Sequence, residues 1–378
     1  MNRFGRDITV AFLGNAYFDS RIVNLIYSFE KDKLDYRIIS YDWSGSQISN
    51  NNPRVEIIPL KRNNSLLFYS LFILSLFRRL FLSNSKIYLA EDVYTLAPVV
   101  FFAKLKNAKI LYNSRELYGF LAGLREKMKT QQVIAAIEKR FIKYVDLVVT
   151  TGEMDSEFIE EYYNLEKSLV LRNLPKYKKI ENPVNLRKKL NLPEDSIILL
   201  YQGVVLEGRG IIKVIHQIGN FKKLVLVVLG DGAFKEKFEA ESKARGVSNQ
   251  VFFYGRVPHE ELLDYTAGAD FGLALIENIS KSYYYALPNK LFEYIMAGVP
   301  VISSNLPQMK NIIDRYSTGV CVDPENDEEL NDVFEQIQNG SLEIEEAKEN
   351  CSKAALELNW EEEYKKLAVT LYKLLGKA

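Results

Sequence analysis

Residues 284–304 read YYALPNKLFEYIMAGVPVISS. Pro288, with its fixed φ and no N–H, marks a turn or a first helical position; Asn289 to Ala297 continue as a helix, Gly298 stops it and Val299 opens a strand. A helix amino terminus of this kind presents unpaired N–H groups to an anion, and Lys290 in its first turn adds positive charge suited to a diphosphate. Glu293 lies one turn further along and can accept hydrogen bonds from two vicinal hydroxyls, as on a ribose. The same residues also read as an ordinary capped helix with Lys290 and Glu293 facing solvent.

Upstream, residues 199–211 (LLYQGVVLEGRGI) run from a strand into a glycine-containing loop, with Arg209 just before a helix, where its fork can clamp a phosphate. Residues 225–232 (VLVVLGDG) read as a buried strand and a tight turn, and 251–257 (VFFYGRV) as another strand ending at Gly255. Short runs rich in β-branched and aromatic residues alternate with stretches of helical period along the whole chain. In the first half the strand runs are 8–13, 36–40, 55–59, 86–89, 109–112, 145–150 and 169–171, with helices near 19–31, 65–82, 95–106, 127–143 and 153–163. After a polar stretch at 176–185 the pattern restarts, with strands at 197–201, 224–229, 251–253, 271–275 and 299–303. Alternation of this kind predicts parallel sheets covered by helices. Two such units predict two doubly wound α/β domains with a linker near 175–190 and a ligand between them. Trp360, Tyr364, Leu367, Leu371 and Leu374 recur at helical spacing, so the last helix packs against something.

The chain has 378 residues, 47% hydrophobic and 26% charged, which excludes collagen-like, low-complexity and wholly disordered classes. Cys321 and Cys351 are too few for a disulfide framework, and the two histidines, His216 and His259, make no metal cluster. A cytoplasmic compartment is expected, because the first apolar run reads as a strand rather than a signal peptide. No GxGxxG, P-loop or GxSxG motif is present, which argues against a dehydrogenase of the usual kind, a P-loop nucleotidase and an α/β-hydrolase.

The net charge is zero but unevenly spread: residues 1–180 carry 27 Lys/Arg against 19 Asp/Glu, and 61–143 carry 15 against 5. A basic half suits an anionic partner, or is a solvated surface with none. Residues 66–82 (LLFYSLFILSLFRRLFL) read three ways: a core helix, a helix lying on a membrane with its arginines towards lipid head groups, or a span, the last disfavoured by Arg78 and Arg79.

Taken in order, the segments around 199–211, 225–232, 251–257 and 284–304 resemble the carboxyl-terminal domain of retaining glycosyltransferase family 4. Gly14 after the first strand, Asp19, Ser20 and Arg21 at the first helix, the run EDVYTLAPVVFFAKLKNAKILYNSREL and the later VVTTGEMDSEFI and VLRNLP extend the resemblance over nearly the whole chain. It implies an α/β GT-B fold: an acceptor-binding domain at 1–180, a nucleotide-sugar-binding domain at 181–355, a donor cleft between them and a helix at 356–378 returning to the first domain. It further implies a nucleoside diphosphate sugar donor, UDP- or GDP-linked, with no cofactor, no metal and no nucleic acid, and a glycan or lipid-linked acceptor.

By position, Arg209 and Lys290 would neutralise the diphosphate, the backbone of Leu287, Pro288 and Asn289 would hydrogen-bond it, and Glu293 would hold the ribose. Gly203, Arg256, Val257 and Tyr285 would complete the donor site, with Gly14 and Asn15 approaching from the first domain. Arg209, Lys290, Arg115 and Glu116 are the catalytic candidates, the last two towards the acceptor. The chain departs from the family pattern at Tyr285, where a glutamate is usual, at Val204, where a basic residue is common, and at Glu91, Asp92 and Asn113, Ser114, Arg115, Glu116, where the usual histidines are missing. Retention by front-face displacement, in which the leaving phosphate helps deprotonate the acceptor, depends on positioning and charge stabilisation and survives the loss of a histidine. A sugar-nucleotide epimerase or a non-catalytic nucleotide-binding relative are the alternatives. The leading expectation is a cytoplasmic transferase, peripheral on the inner membrane face, in surface-polysaccharide synthesis.

Overall fold

A computed structural model describes residues 5–43, 52–62, 64–124, 126–342 and 344–377. They fall into two units, one formed by residues 1–173 with 362–378 and the other by 174–361. The crossings lie at 173/174 and 361/362 rather than at the expected 180/181 and 355/356. Leu174 and Leu186 are the reason: both are buried in the core of the second unit, so chain that reads as a polar linker is already part of it.

Among the described residues the first unit is built on a seven-stranded parallel sheet. Its strands are β1 (Arg6–Phe12), β2 (Tyr36–Asp42), β3 (Val55–Pro59), β4 (Ser85–Ala90), β5 (Lys109–Ser114), β6 (Leu147–Thr150) and β7 (Leu169–Val170), in the order β3-β2-β1-β4-β5-β6-β7. The order reverses direction at β1/β4, where Ile8 pairs with Ile87 and Val10 with Leu89. Asp19 starts the helix Ser20–Lys31 by accepting the Ile22 N–H at 2.9 Å, and Asp92 starts the helix Val93–Leu105 by accepting that of Thr95 at 2.8 Å. The final helix, Trp360–Leu375, belongs to this unit from Glu362 onward. Glu363 accepts the Arg172 N–H at 2.8 Å, and the Tyr364 hydroxyl donates to Asp32 at 2.9 Å.

The second unit repeats the plan with β8 (Ile197–Gln202), β9 (Leu224–Leu229), β10 (Val251–Gly255), β11 (Phe271–Ala274), β12 (Val301–Ser304) and β13 (Gly319–Val322), ordered β10-β9-β8-β11-β12-β13. Side chains alternate across a strand. Ile198 and Leu200 of β8 therefore enter one core, while Leu199 and Tyr201 enter the core on the opposite face. Burial on both faces explains why β9 reads LVLVVL without a polar residue. Strand β13 went unanticipated: GVCV is only four residues long and sits at the sheet edge, half-buried over most of its length.

The helix Ser65–Leu82 is not the enclosed core element that its apolar run allows. Phe68, Phe72, Leu76 and Leu80 are buried, one per turn, while Leu66, Leu67, Leu71, Leu74, Phe81 and Leu82 are exposed.

Candidate functional site

Three neighbouring strands of the second unit end in glycines with positive φ: Gly203 after β8 (+123°), Gly230 after β9 (+147°) and Gly255 at the end of β10 (+96°). The Gly203 N–H donates to Leu229 O at 2.9 Å and the Gly230 N–H to Gly255 O at 2.8 Å, so the three turns are stacked backbone on backbone. A Cβ at Gly230 would sit 1.9 Å from the Gly203 carbonyl oxygen, so only glycine fits. The loops this close approach forms surround the carboxyl ends of the strands, where open α/β sheets place ligands.

Lys290 enters that region from the first turn of the helix Asn289–Met296, which Pro288 opens in an extended conformation (φ −75°, ψ 143°). Lys290 is buried, and its Nζ lies 3.6 Å from the centroid of the Tyr201 ring at the end of β8. Burial, then repulsion from Arg209, lowers its pKa well below the usual lysine value, with Glu293 opposing. Arg209 sits between Gly208 (φ +73°) and Gly210 (φ +74°), its guanidinium carbon 4.5 Å from the centroid of the Tyr283 ring. Two cations are thus brought together on aromatic faces, an arrangement suited to a dianionic or trianionic ligand.

One turn beyond Lys290, Glu293 accepts from Gln202 Nε2 at 2.5 Å, and Gln202 Oε1 accepts from Thr266 Oγ1 at 2.8 Å. The Gln202 N–H donates to the Tyr294 hydroxyl at 3.1 Å, which itself donates to Leu200 O at 2.9 Å. Glu293 is therefore oriented rather than adrift in solvent. Burial raises its pKa, against the Gln202 hydrogen bond and the nearby His259 and Lys290.

Other residues singled out in the sequence are less closely drawn in. Arg256 is 79% exposed in its side chain, with Nε 3.5 Å from Asp231. Val257 and Leu287 are half-buried against the core. Asn289 is half-buried in the first helical turn. Tyr285 is half-buried, with Lys281 Nζ 5.8 Å from its ring centroid and its carbonyl accepting from Gln308 at 2.5 Å.

In the first unit the corresponding strand ends carry a buried charge network. Arg115 donates both arms of its fork to Asp19, at 2.7 and 2.5 Å, and its Nε lies 3.1 Å from Glu91 Oε2. Asn113 donates to Glu91 at 3.0 Å and accepts from Arg21 Nη1 at 3.0 Å, while Arg21 Nη2 donates to Leu171 O at 2.7 Å. Burial works against Asp19, but the Arg115 guanidinium outweighs it and holds that carboxyl low; burial wins at Glu91 and Asp92, whose pKa values rise. Arg21, buried and repelled by Arg115, falls to about 10. Arg115, expected to face an acceptor, is thus committed to Asp19 and Glu91, whereas Glu116 beside it is exposed.

Gly14 follows β1 in the strand-end loop, where a Cβ would meet the Phe12 ring at 2.3 Å. Asn15 is buried; its Oδ1 accepts the Tyr17 N–H at 3.0 Å, and its Nδ2 has no hydrogen-bond partner among the described residues. Sequence reasoning missed Tyr201, Gln202 and Tyr283, although Tyr201 and Gln202 close the very strand quoted as LLYQG. Among the described residues no cluster of His, Cys, Asp and Glu has the makings of a metal site.

Two doubly wound parallel sheets with this strand order are the GT-B fold. Sucrose-phosphate synthase from Thermosynechococcus elongatus superposes with a TM-score of 0.79 over 99% of this chain and 100% of that one, at 15% identity. Anabaena HepE in complex with UDP-glucose does so with a TM-score of 0.72 over 97% and 99%, at 13% identity. Residues 184–357, nearly all of the second unit, match the family model described as glycosyl transferases group 1. A curated relative, the colanic acid biosynthesis glycosyl transferase WcaI of Escherichia coli K12, described as putative, is 25% identical over 246 residues. That alignment covers 60% of this chain and 60% of WcaI, so the chain spans well under two thirds of its relative's length.

Proposed function

We propose that the protein is a retaining glycosyltransferase of the family 4 type, moving a sugar from a UDP- or GDP-linked donor to a hydroxyl of a glycan or lipid-linked acceptor in surface-polysaccharide synthesis. The observation that carries this reading is the pairing of buried Lys290 and glycine-flanked Arg209 beside an oriented Glu293. The two cations take up the negative charge that develops on the leaving diphosphate, and Glu293 receives two vicinal ribose hydroxyls. Charge stabilisation by Arg209 and Lys290 lets the reaction proceed without a divalent ion. The match of residues 184–357 to the group 1 family, WcaI's name and HepE's binding of UDP-glucose support the donor class.

In the first unit, Asn15 Nδ2 is a buried donor left for a ligand, and Glu116 is the exposed carboxylate nearest in sequence to the Arg115 network. The leaving phosphate assists deprotonation of the acceptor, so positioning supplies most of the rate. The reaction belongs in the cytoplasm, at the inner face of the membrane where a lipid-linked acceptor is held.

The test is binding followed by turnover. Calorimetry with UDP, GDP, ADP, CMP and dTDP should find one nucleotide bound by the wild type and lost in Glu293→Ala. With the matching sugar donor and an acceptor, NMR of the product should show the donor's anomeric configuration kept, with activity unchanged by EDTA. Failure of all five nucleotides to bind would sink the donor site, and product without an acceptor would point to epimerisation.

A further inference from the structure

We infer that the outward faces of the helices Ser65–Leu82 and Val93–Leu105 together form a seat for an anionic lipid bilayer. The inference deepens the membrane location in the reading above and rests on it. Its test uses no nucleotide or sugar, so that it fails or stands apart from the donor site.

The inner stripe of Ser65–Leu82 is spoken for. Phe68, Phe72, Leu76 and Leu80 are buried, the Tyr41 ring meets Phe72 edge-on at 4.8 Å, and Arg79 reaches inward to Glu56 at 2.6 Å. A helix on a protein surface normally turns polar side chains outward. Here Leu67 (57% exposed), Leu71 (46%), Leu74 (68%) and Phe81 (66%) follow one another along the outer stripe, flanked by Leu66 (80%) and Leu82 (67%). With 18 residues the helix is about 27 Å long, enough by length and composition to cross a bilayer. The buried inner face keeps it from crossing one.

The apolar surface continues onto the neighbouring helix. Phe77 stacks on Phe101 at 5.8 Å with the rings 21° apart, and Phe101 and Leu105 are 54% and 65% exposed. An exposed apolar surface spanning two helices is larger than the scattered leucines of an ordinary monomer.

Charge selects the occupant. Neither helix contains an Asp or Glu, and exposed Arg78, Lys104, Lys61 and Arg62 stand in or beside the face. Arg78, in the middle of the leucine stripe, has no carboxylate within ion-pair distance among the described residues. A second copy of the chain would set Arg78 against a like-charged face across a two-fold interface, where burial makes repulsion costly. A bilayer of anionic lipid instead receives the leucines and phenylalanines among its acyl chains and the cations at its phosphates.

The structure carries its own reporter. Trp43 is 41% exposed with its ring 6.3 Å from Phe68, whereas Trp360 is fully buried and contributes a constant background. The intact protein should sediment with phosphatidylglycerol-containing vesicles at low salt but not with pure phosphatidylcholine, with a blue shift of Trp43 emission and quenching by brominated lipid. Leu74→Glu with Phe81→Glu, and separately Arg78→Glu, should each lower partitioning about tenfold or more while keeping the melting temperature and the oligomeric state of the wild type. If the variants prove unstable, brominated-lipid quenching in the wild type decides alone. The inference is overturned if the wild type stays in the supernatant, if folded variants bind undiminished, or if light scattering finds a dimer that Leu74→Glu disperses.

Discussion

The Lys290 ammonium lies 3.6 Å from the centroid of the Tyr201 ring, a buried cation held against an aromatic face where its sequence neighbours make it look like a solvated residue of a first helical turn. An aromatic face offers a small part of what water gives an ammonium. The site therefore stores a cost that an anionic ligand relieves.

Lys290→Met should raise the melting temperature of the ligand-free protein by a few degrees, because a buried charge that Glu293 offsets only in part is replaced by a packed chain of similar length. The same variant should bind the nucleoside diphosphate about 10- to 100-fold more weakly. Scanning calorimetry and titration calorimetry read the two effects, which have opposite signs.

The pH dependence follows from the lowered pKa of Lys290. The unfolded chain keeps the lysine proton up to the ordinary value of 10.5, whereas the folded protein releases it earlier. The destabilisation due to Lys290 is thus full below the folded pKa and fades as pH rises through the window up to the unfolded one. Nucleotide affinity moves the other way, falling as the free protein loses that proton. Binding within the window should take up a proton, seen as a heat that varies with the ionisation enthalpy of the buffer.

Glu138 gives a second pH signature. It accepts from Tyr112 (2.5 Å), Ser114 (3.2 Å) and Tyr163 (2.8 Å), yet burial still raises its pKa above 4.5. An acid raised in the folded state adds stability that is full below 4.5 and is lost as pH climbs through the folded value. Urea midpoints measured across pH should show that decline in the wild type and a shallower one in Glu138→Gln.

Gly230→Ala should prevent folding or cost more than about 3 kcal/mol, since the new methyl meets the Gly203 carbonyl oxygen at 1.9 Å on top of an unfavourable φ. Gly246 has a φ of +71° but nothing within 4 Å of an added Cβ, so Gly246→Ala should cost only about 1 kcal/mol. Comparing their urea midpoints separates close backbone approach from φ strain.

Arg115→Met should destabilise by about 3 kcal/mol, because fully buried Glu91 and half-buried Asp19 lose their shared cation. Adding Glu91→Gln should recover part of that loss. Additive denaturation energies would show that the two groups do not interact.

Periodicity carried much of this molecule. Strand runs separated by helical stretches foretold both doubly wound sheets, because a strand buried on both faces reads as an apolar run. The glycine-terminated strands and the PNKLFEYIMAG helix placed Arg209, Lys290 and Glu293 on the right elements. Edge strand β13 escaped, being short and half-buried, and so did the early entry of Leu174 and Leu186 into the second core, because polar neighbours hide their packing.

By itself, then, the sequence determined the fold class, the elements that carry the candidate site and the apolar run at 66–82, since all of these depend on local spacing. Tertiary structure decided what each side chain faces: that Lys290 rests on Tyr201, that Gln202 orients Glu293, that Arg115 is bound to Asp19 and Glu91, and that half of the 66–82 run looks outward. Contacts between residues tens of positions apart leave no period in the chain, and burial, which sets every pKa shift cited, arises only when the sheets and helices close around them.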